Sequence, residues 1–270
     1  MRRNNLIFDV GLHRAEDTRL YLAKGFDVVA IEAMPTLAQR AAQELAEHVT
    51  SGQLVIENVA VADVAGSVPF YVNSSSEWGT IRPAWAERNS RLGSPSTTSV
   101  PVTALPFGDL LERHGVPHYL KIDIEGADLL CLQALDPAEP PTYVSVESEK
   151  VSWAGLLREF DLLSGLGYRQ FKVVAQHKVP RQRQPQPPRE GRYAAGWTPT
   201  LGCSGLFGEE APGRWLSRRE ALAKYRLIFA RYRLYGDDGL LPRHGAGAVL
   251  RAPFRLAGGS AGWFDTHARR

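Results

Sequence analysis

Acidic residues at the ends of predicted strands are the first chemical feature of this sequence. Asp9 lies in the apolar run 6–10, and Glu32 directly follows the apolar run 28–31. Gly11 follows the first run and begins a turn. In open sheets such a turn lets the backbone approach a ligand, and an acid about 20 residues further on accepts hydrogen bonds from ribose hydroxyls. Asp9, Gly11 and Glu32 therefore predict a site for a nucleotide-like cofactor.

The turn after the first strand separates two classes of cofactor. A dinucleotide site uses the pattern Gly-x-Gly-x-x-Gly, in which the pyrophosphate sits at a helix N-terminus. Here residues 11–17 read Gly-Leu-His-Arg-Ala-Glu-Asp, so two of the three glycines are missing. Glu16 and Asp17 would also repel a pyrophosphate, whereas they suit a sulfonium or an amino group. The turn therefore favours S-adenosylmethionine over NAD.

Three residues are candidates for accepting a proton in such a site. Asp123 and Glu125 lie at the end of the apolar run 119–124, and His13 lies in the turn after Gly11. Methyl transfer is a displacement at a sulfonium carbon, and a hydroxyl acceptor benefits from a base as its proton becomes acidic. We predict Asp123, Glu125 or His13 as catalytic, with Asp123 also binding the cofactor. The alternative is that Asp123 only binds the cofactor and Glu125 only caps the next helix. In that case, alignment of the cofactor with the acceptor accounts for much of the rate enhancement.

The same strand ends supply oxygen ligands for a metal ion. Asp123, Glu125 and Glu147 are carboxylates of the kind that binds Mg²⁺, but their spacing does not require an ion. Cys131 and Cys203 lack the paired spacing of a zinc site. The sequence therefore predicts no metal site, and it predicts two free thiols.

Alternating strands and helices must position these residues. Short apolar runs alternate with helical patterns as far as residue 174, which is typical of a parallel sheet with helices on both faces. The predicted fold class is therefore α/β. The expected strands lie at 6–10, 28–31, 54–61, 119–124, 143–147 and 171–174. Residues 73–99 have no clear period, and we interpret them as an insertion.

Charge divides the chain into two parts. Residues 1–177 carry 15 Lys and Arg against 22 Asp and Glu, whereas residues 178–270 carry 17 against 7. We predict an S-adenosylmethionine-binding core over 1–177. Residues 178–270 are expected to hold a basic Pro- and Arg-rich loop, the last strand and a helical extension packed on the core. The loop is either a solvated linker or a lid whose arginines hold an anionic acceptor. The candidate lid residues are Arg181, Arg183, Arg189 and Arg192.

Length and composition exclude several classes of protein. The chain has 270 residues, of which 44% are hydrophobic and 23% are charged, so it can bury a globular core. No apolar run approaches the roughly 18 residues of a membrane span, and the opening stretch 1–10 is too short for a signal peptide. We therefore expect a cytoplasmic protein that does not bind a membrane.

Four stretches of the sequence resemble the motifs of one known family. They are Asp9-Val10-Gly11, Glu32-Ala33, residues 58–63 (Asn-Val-Ala-Val-Ala-Asp) and residues 120–128 (Leu-Lys-Ile-Asp-Ile-Glu-Gly-Ala-Asp). Over residues 6–150 the chain resembles the FkbM family of class I S-adenosylmethionine-dependent methyltransferases. That family usually has Asn and a second Gly where this chain has His13 and Ala15.

This resemblance implies a fold, an activity and a set of cofactor ligands. The implied fold is a Rossmann-like class I methyltransferase sheet of seven strands, mostly parallel, with the last strand antiparallel. The implied activity is O-methylation of a hydroxyl on a small metabolite or sugar. The implied cofactor ligands are Asp9 and Gly11 along the methionine part, Glu32 at the ribose with Ala33 beside it, and Ala62 and Asp63 near the adenine.

Two other functions remain open from the sequence. His13 and Ala15 in the turn are compatible with a non-catalytic binding protein on a decayed methyltransferase scaffold. The net charge of residues 178–270, 17 − 7 = +10, is compatible with a nucleic-acid methyltransferase. Against base N-methylation, the chain lacks an Asn-Pro-Pro-Tyr type of motif after the fourth strand. We therefore expect a small-molecule or glycan acceptor, anionic acceptors included, rather than a nucleic acid.

Overall fold

The structure is a computed structural model, and it describes residues 2–73, 79–91, 96–149, 151–236 and 263–270. Its strands are β1 (Arg2–Val10), β2 (Asp27–Ile31), β3 (Leu54–Glu57), β4 (Ala60–Val61), β5 (Gly66–Asn73), β6 (Ser96–Leu105), β7 (Val116–Ile122), β8 (Tyr143–Glu147), β9 (Gln170–Ala175), β10 (Leu216–Ser217) and β11 (Phe264–Arg269). Its α-helices are α1 (Glu16–Ala23), α2 (Pro35–Glu44), α3 (Ala46–Thr50), α4 (Pro83–Arg91), α5 (Phe107–His114), α6 (Asp128–Gln133), α7 (Trp153–Gly165) and α8 (Arg218–Tyr235).

A mixed, mostly parallel sheet forms the centre of the protein. Within the described residues it has eight strands in the order β10-β9-β11-β8-β7-β1-β2-β3. Strands β3, β2, β1, β7 and β8 pair in parallel, whereas β11 is antiparallel to both β8 and β9. A second, smaller sheet has the order β4-β6-β5. The predicted α/β class, with a late antiparallel strand, is confirmed.

Two hydrophobic clusters cover the two faces of the central sheet. Because side chains alternate along a strand, Phe8 of β1 joins one cluster and its neighbour Ile7 joins the other. The cluster around Phe8 includes buried residues of α5, α7 and α8. The cluster around Ile7 includes buried residues of α1 and α2. Burial of the central strands on both faces explains why they are nearly continuous apolar runs.

The strand expected over 54–61 is two strands in two different sheets. Residue Asn58 breaks it, because its side-chain amide donates to the backbone oxygen of Glu32 at 2.7 Å. The chain then turns tightly, with the Val59 amide donating to the Glu57 carbonyl. After the turn, β4 pairs with β6 rather than with β2. The single predicted strand was therefore wrong, since the apolar pattern continues through the turn.

The Pro- and Arg-rich segment, defined here as residues 178–215 between β9 and β10, packs on the face of the sheet that carries α1. The Phe207 ring stacks on the Tyr119 ring of β7, with 4.6 Å between the ring centroids. The Arg192 amide donates to the Lys24 carbonyl at the end of α1. These contacts place the segment against the same face of the sheet as α1.

Strand β11 joins the last described residues to the middle of the sheet. The Thr266 hydroxyl lies 2.6 Å from the Ser148 hydroxyl and 2.7 Å from the Tyr225 hydroxyl of α8. The Ser148 hydroxyl also lies 3.2 Å from the buried Glu159 carboxyl of α7, whose pKa burial raises to about 8. The domain boundary after residue 177 stays a prediction. Strand β11 follows that boundary in the sequence, yet it pairs with β8, which precedes it.

Among the described residues, no helix combines the length and the apolar composition that crossing a bilayer requires.

Candidate active site

A cleft of about 470 Å³ lies at the carboxyl ends of β1, β2, β7 and β8. Its volume falls in the range of about 300–1,000 Å³ that is typical of small-molecule sites. Six residues predicted from the sequence line it: Gly11, His13, Glu32, Ala33, Asp123 and Glu125. Three other predicted residues, Asp9, Ala62 and Asp63, are not among the lining residues of this cleft.

Gly11 lies directly after β1 and against the backbone that follows β7. A Cβ atom at this position would lie 1.9 Å from the backbone oxygen of Asp123, and the backbone φ is +92°. A side chain of any size would therefore separate the two strand ends. The sequence suggests that this glycine makes room for a ligand, and the structure shows that it first makes room for the neighbouring strand.

Glu32 is held in the cleft by two backbone amides. One carboxylate oxygen accepts from the His13 amide at 2.9 Å, and the other accepts from the Met34 amide at 2.8 Å. The residue is only 7% exposed. Burial raises the pKa of Glu32, and the two amide hydrogen bonds act in the opposite direction. The carboxylate is thus fixed at the junction of β1 and β2.

Asp9 lies beneath the cleft, where it pairs with a lysine. Its carboxylate lies 3.0 Å from the Lys121 ammonium and accepts from the Thr18 hydroxyl at 2.6 Å. Lys121 also donates to the Gly11 carbonyl at 2.7 Å. Neighbouring carboxylates raise the pKa of Lys121 despite its burial. The predicted cofactor residue Asp9 therefore orients Lys121, which lines the cleft in its place.

Asp17 is a second carboxylate around Lys121. It accepts from the amides of Ser204 and Gly205 at 2.9 and 3.1 Å, and it lies 4.0 Å from the Lys121 ammonium. Burial raises the pKa of Asp17 to about 6, although Lys121 lowers it. These bonds connect the start of α1 to the Pro- and Arg-rich segment. They also place Asp17 in the wall of the cleft.

Asp123 and Glu125 follow β7 at the centre of the cleft. Removal from bulk water raises the pKa of Asp123 to about 7, and Lys121 opposes that shift. Glu125 has a positive φ of 48°, a conformation that is uncommon for residues other than glycine. Asp128 supports this turn by accepting from the amides of Ile124 and Gly126. The turn thus holds Glu125 toward the cleft at a cost in backbone strain.

His13 and Ala15 also adopt left-handed backbone conformations. Their φ angles are 51° and 63°. Such angles favour Asn and Gly, which are the residues that the resembled family usually has at these two positions. The His13 ring lies 3.6 Å from the Glu16 carboxylate, at the entrance to α1. The turn therefore holds His13 and Ala15 in conformations that their residue types do not favour.

The residues predicted near the adenine lie outside the cleft wall. The Ala62 amide donates to the Leu105 carbonyl, and the exposed Asp63 lies 4.0 Å from Arg82. The preceding residues line this end of the cleft instead, together with apolar side chains of neighbouring elements. They are Val59, Ala60, Val61, Met34, Leu37, Phe70 and Ile81. This end is suited to a flat, apolar ring.

Residues far apart in the sequence line a further part of the cleft. Arg88 of α4 donates to the Tyr232 hydroxyl of α8 at 3.1 Å, and both line the cleft. Asn89, Tyr235 and Trp263 line it as well. Sequence reasoning missed this set, because no local pattern joins α4 to α8. The four candidate lid arginines are not among the lining residues.

Three carboxylates come together between β7 and β8. One oxygen each of Asp123, Glu125 and Glu147 lies within 4.8 Å of the others. These are the residues whose sequence spacing did not require an ion. The absence of a metal site stays a prediction, and the geometry shows that the three side chains share one wall of the cleft.

Comparison with known proteins gives one matching family model and two solved structures. The family model for the methyltransferase FkbM domain matches residues 9–169, more than half of the chain. A precorrin-6y C5,15-methyltransferase from Geobacter metallireducens GS-15 is 12% identical, with a TM-score of 0.36, over 64% of this chain and 68% of that one. A candidate rRNA methylase from Clostridium thermocellum is 10% identical, with a TM-score of 0.33, over 64% of this chain and 80% of that one. No curated protein sequence matches the chain.

Proposed function

This chain belongs to the FkbM methyltransferase family, and we propose that it transfers the methyl group of S-adenosylmethionine to a hydroxyl oxygen of a small metabolite or sugar. The observation that carries the proposal is Glu32, a buried carboxylate fixed at the carboxyl end of β2. Open α/β sheets bind their ligands at this edge. The proposal therefore places the ribose of the cofactor at Glu32 and its reactive end toward Asp123.

The hydrogen-bonding capacity of Glu32 fits a ribose. Its two oxygens accept one backbone amide each, from His13 and Met34. A carboxylate offers about four lone-pair sites, so two remain for the two ribose hydroxyls. Charge-assisted bonds of this kind are about twice as strong as neutral ones. The apolar end of the cleft, with Val61 and Phe70, then lies beside the ribose site and suits the adenine.

The charge of the cleft fits a cationic cofactor. Six carboxylates line it: Glu16, Asp17, Glu32, Asp123, Glu125 and Glu147. Among the described lining residues, Arg88, Lys121 and His13 are the basic ones. S-adenosylmethionine, when bound, supplies an electrophilic methyl group on a positively charged sulfur. An excess of carboxylates attracts such a charge and repels the pyrophosphate of a dinucleotide.

The residues after β7 are placed to accept the proton of the hydroxyl. Asp123 lies between the Glu32 side of the cleft and Glu147 of β8, because β7 lies between β1 and β8 in the sheet. Its carboxylate makes no hydrogen bond with a described residue, so its lone pairs are available to a ligand. Glu125 and His13 line the same cleft and are the other proton acceptors. Lys121 positions the strand end by binding both Asp9 and the Gly11 carbonyl.

Replacing Glu32 by glutamine tests the cofactor assignment. We expect the affinity for S-adenosylhomocysteine to fall by about tenfold or more, equivalent to about 1–3 kcal/mol, through lost charge-assisted hydrogen bonds. Calorimetric titration of the wild type and the variant measures the difference. Glu47→Gln, an exposed change on α3, is the matched control and should bind like the wild type. Equal affinity of Glu32→Gln and wild type would show that the ribose does not lie at Glu32.

A further inference from the structure

Four buried polar side chains meet on the face of the central sheet that carries α7 and α8. They are Ser148 directly after β8, Glu159 in α7, Tyr225 in α8 and Thr266 in β11. Each is 4% exposed or less. These four residues, here the Glu159 cluster, therefore join the end of β8 and strand β11 to the two helices that pack on this face of the sheet.

The three hydroxyls of the Glu159 cluster form a closed triangle. The Ser148 oxygen lies 2.6 Å from the Thr266 hydroxyl oxygen and 2.7 Å from that of Tyr225. The Thr266 and Tyr225 oxygens are 2.7 Å apart. These are ordinary lengths for hydrogen bonds between hydroxyls. Because each hydroxyl has one proton to donate, the triangle uses all three hydroxyl protons.

Glu159 makes a fourth contact, for which the hydroxyls have no proton left. Its Oε1 atom lies 3.2 Å from the Ser148 oxygen, and its Oε2 atom accepts from the Glu149 amide at 3.4 Å. An ionised Glu159 that takes the Ser148 proton leaves one pair of oxygens in the triangle without a proton between them. An ionised Glu159 that takes no hydroxyl proton leaves a buried charge with one long hydrogen bond, which is costly. A neutral carboxyl avoids both outcomes, because it donates its own proton to Ser148.

The charges around Glu159 also favour the neutral form. In the part of the chain that the structure describes, no Lys, Arg or His nitrogen lies within 4.0 Å of its carboxyl. Burial raises the pKa of Glu159 to about 8, the Asp128 carboxyl of α6 adds to the rise, and the Glu149 amide and the hydroxyls oppose it. From α8 the facing group is Tyr225, whose own pKa burial raises well above its usual value. The Glu149 carboxylate accepts from two amides of its own loop.

We propose that the Glu159 cluster is a pH-sensitive contact, in which neutral Glu159 holds β11 and α8 against α7 and its ionisation in alkaline solution weakens that contact. The contact rests on the fold and does not depend on the proposed function. Its loss also affects the cleft. Tyr232 lines the cleft about two helical turns after Tyr225, and Trp263 lines it directly before β11. Alkaline pH should therefore loosen this part of the cleft.

The melting temperature of the wild type and of Glu159→Gln, measured as a function of pH, tests the contact. The folded-state pKa lies above the value of about 4.3 for an unfolded chain. The stability that neutral Glu159 contributes is therefore fully present below about pH 4 and is lost as the pH rises through about 8. Glutamine keeps the shape of the side chain and donates to Ser148 at every pH.

We expect the melting temperature of the wild type to fall by about 5–10 °C relative to Glu159→Gln between about pH 5 and pH 9. The variant should be the more stable protein at the alkaline end. Glu112→Gln, an exposed change on α5, is the matched control, and its profile should run parallel to that of the wild type. Parallel profiles of Glu159→Gln and the wild type would overturn the inference.

Thr266→Val tests the count of protons with a second variant that retains Glu159. Valine has nearly the shape of threonine, and the change removes one hydroxyl proton together with two contacts. Two hydroxyl protons then remain for two contacts, so that Ser148 can donate to an ionised Glu159. We expect the alkaline loss of melting temperature to be smaller than in the wild type. An equal loss in this variant would contradict the count, and with it the pH-sensitive contact.

Infrared difference spectroscopy identifies the protonated group directly. The wild-type spectrum minus the Glu159→Gln spectrum, recorded near pH 7, should contain the C=O absorption of a neutral carboxyl. Carboxylate absorption should replace it in strongly alkaline solution. Carboxylate absorption that is already present near pH 7 would overturn the inference.

Hydrogen exchange shows where the protein loosens. Near pH 9 the amides of α8 and β11 should exchange about tenfold faster in the wild type than in Glu159→Gln, whereas near pH 6 the two proteins should exchange alike. Comparing both proteins at one pH removes the intrinsic effect of pH on exchange. Strand β2 is the internal reference, because it contributes no residue to the Glu159 cluster. Equal exchange of α8 near pH 9, or faster exchange in β2 to the same extent, would contradict a local loss of this contact.

Discussion

Replacing Asp123 by asparagine is expected to reduce methyl transfer by about 10²–10⁴-fold, because the variant loses the carboxylate that we propose as the proton acceptor. Asparagine preserves the shape of the side chain. The Asp123 carboxylate makes no hydrogen bond with a described residue, so the fold does not depend on it. The expected signature is therefore a large loss of turnover with little change in the melting temperature.

Release of labelled methyl groups to an accepted hydroxyl substrate measures this effect. Asp109→Asn, an exposed change at the start of α5, is the matched control and should behave like the wild type. Glu125→Gln should have a mixed effect, because Glu125 both lines the cleft and lies in a strained turn. Unchanged turnover in Asp123→Asn, accompanied by a large loss of thermal stability, would assign Asp123 to structure instead.

Replacing Lys24 by methionine is expected to lower the free energy of unfolding by about 3–5 kcal/mol, because it leaves the buried Glu210 carboxylate without its positively charged partner. The Lys24 ammonium lies 2.8 Å from the Glu210 carboxylate, and both side chains are fully buried. Lys24 also donates to the carbonyls of Glu190 and Arg192 at 3.0 and 3.3 Å. This pair joins α1 to the Pro- and Arg-rich segment, so the segment should detach in the variant.

Denaturant unfolding of the variant and of a double variant checks this prediction. Lys24→Met combined with Glu210→Leu removes both charges and should recover part of the lost stability. Arg40→Met is the control, because the Arg40–Glu44 pair is exposed and should contribute little. A single variant as stable as the wild type would show that the segment is held by its ring contacts, such as that of Phe207 with Tyr119, and not by the ion pair.

Three of the strands whose ends form the cleft could be predicted from the sequence. Their apolar runs end in Asp9, Glu32 and Asp123, and parallel strands bring their carboxyl ends to one edge of a sheet. The sequence could not show which acids face the ligand. Asp9 pairs with Lys121 beneath the cleft. The lysine in the middle of an otherwise apolar strand was the one sequence feature that indicated a buried partner for an acid. Strand alternation alone does not reveal such a pair.

The part of the cleft near β8, α4 and α8 could not be predicted, because it depends on contacts between distant residues. Strand β11 brings Asp265 next to Glu147, although the two lie more than one hundred residues apart. The run Asp265-Thr266-His267 is polar, so hydrophobic patterning does not identify it as a central strand. The hydrogen bond from Arg88 of α4 to the Tyr232 hydroxyl of α8 also joins residues that are far apart in the sequence. Local patterns therefore show only part of the site.

Binding of S-adenosylhomocysteine to the wild-type protein tests the central claim most directly. Calorimetric titration should show one saturable site per chain, and NADH titrated under the same conditions should not bind, because the acidic turn after Gly11 repels a pyrophosphate. Failure of S-adenosylhomocysteine to bind, or saturable binding of NADH in its place, would contradict the assignment of the cleft to S-adenosylmethionine.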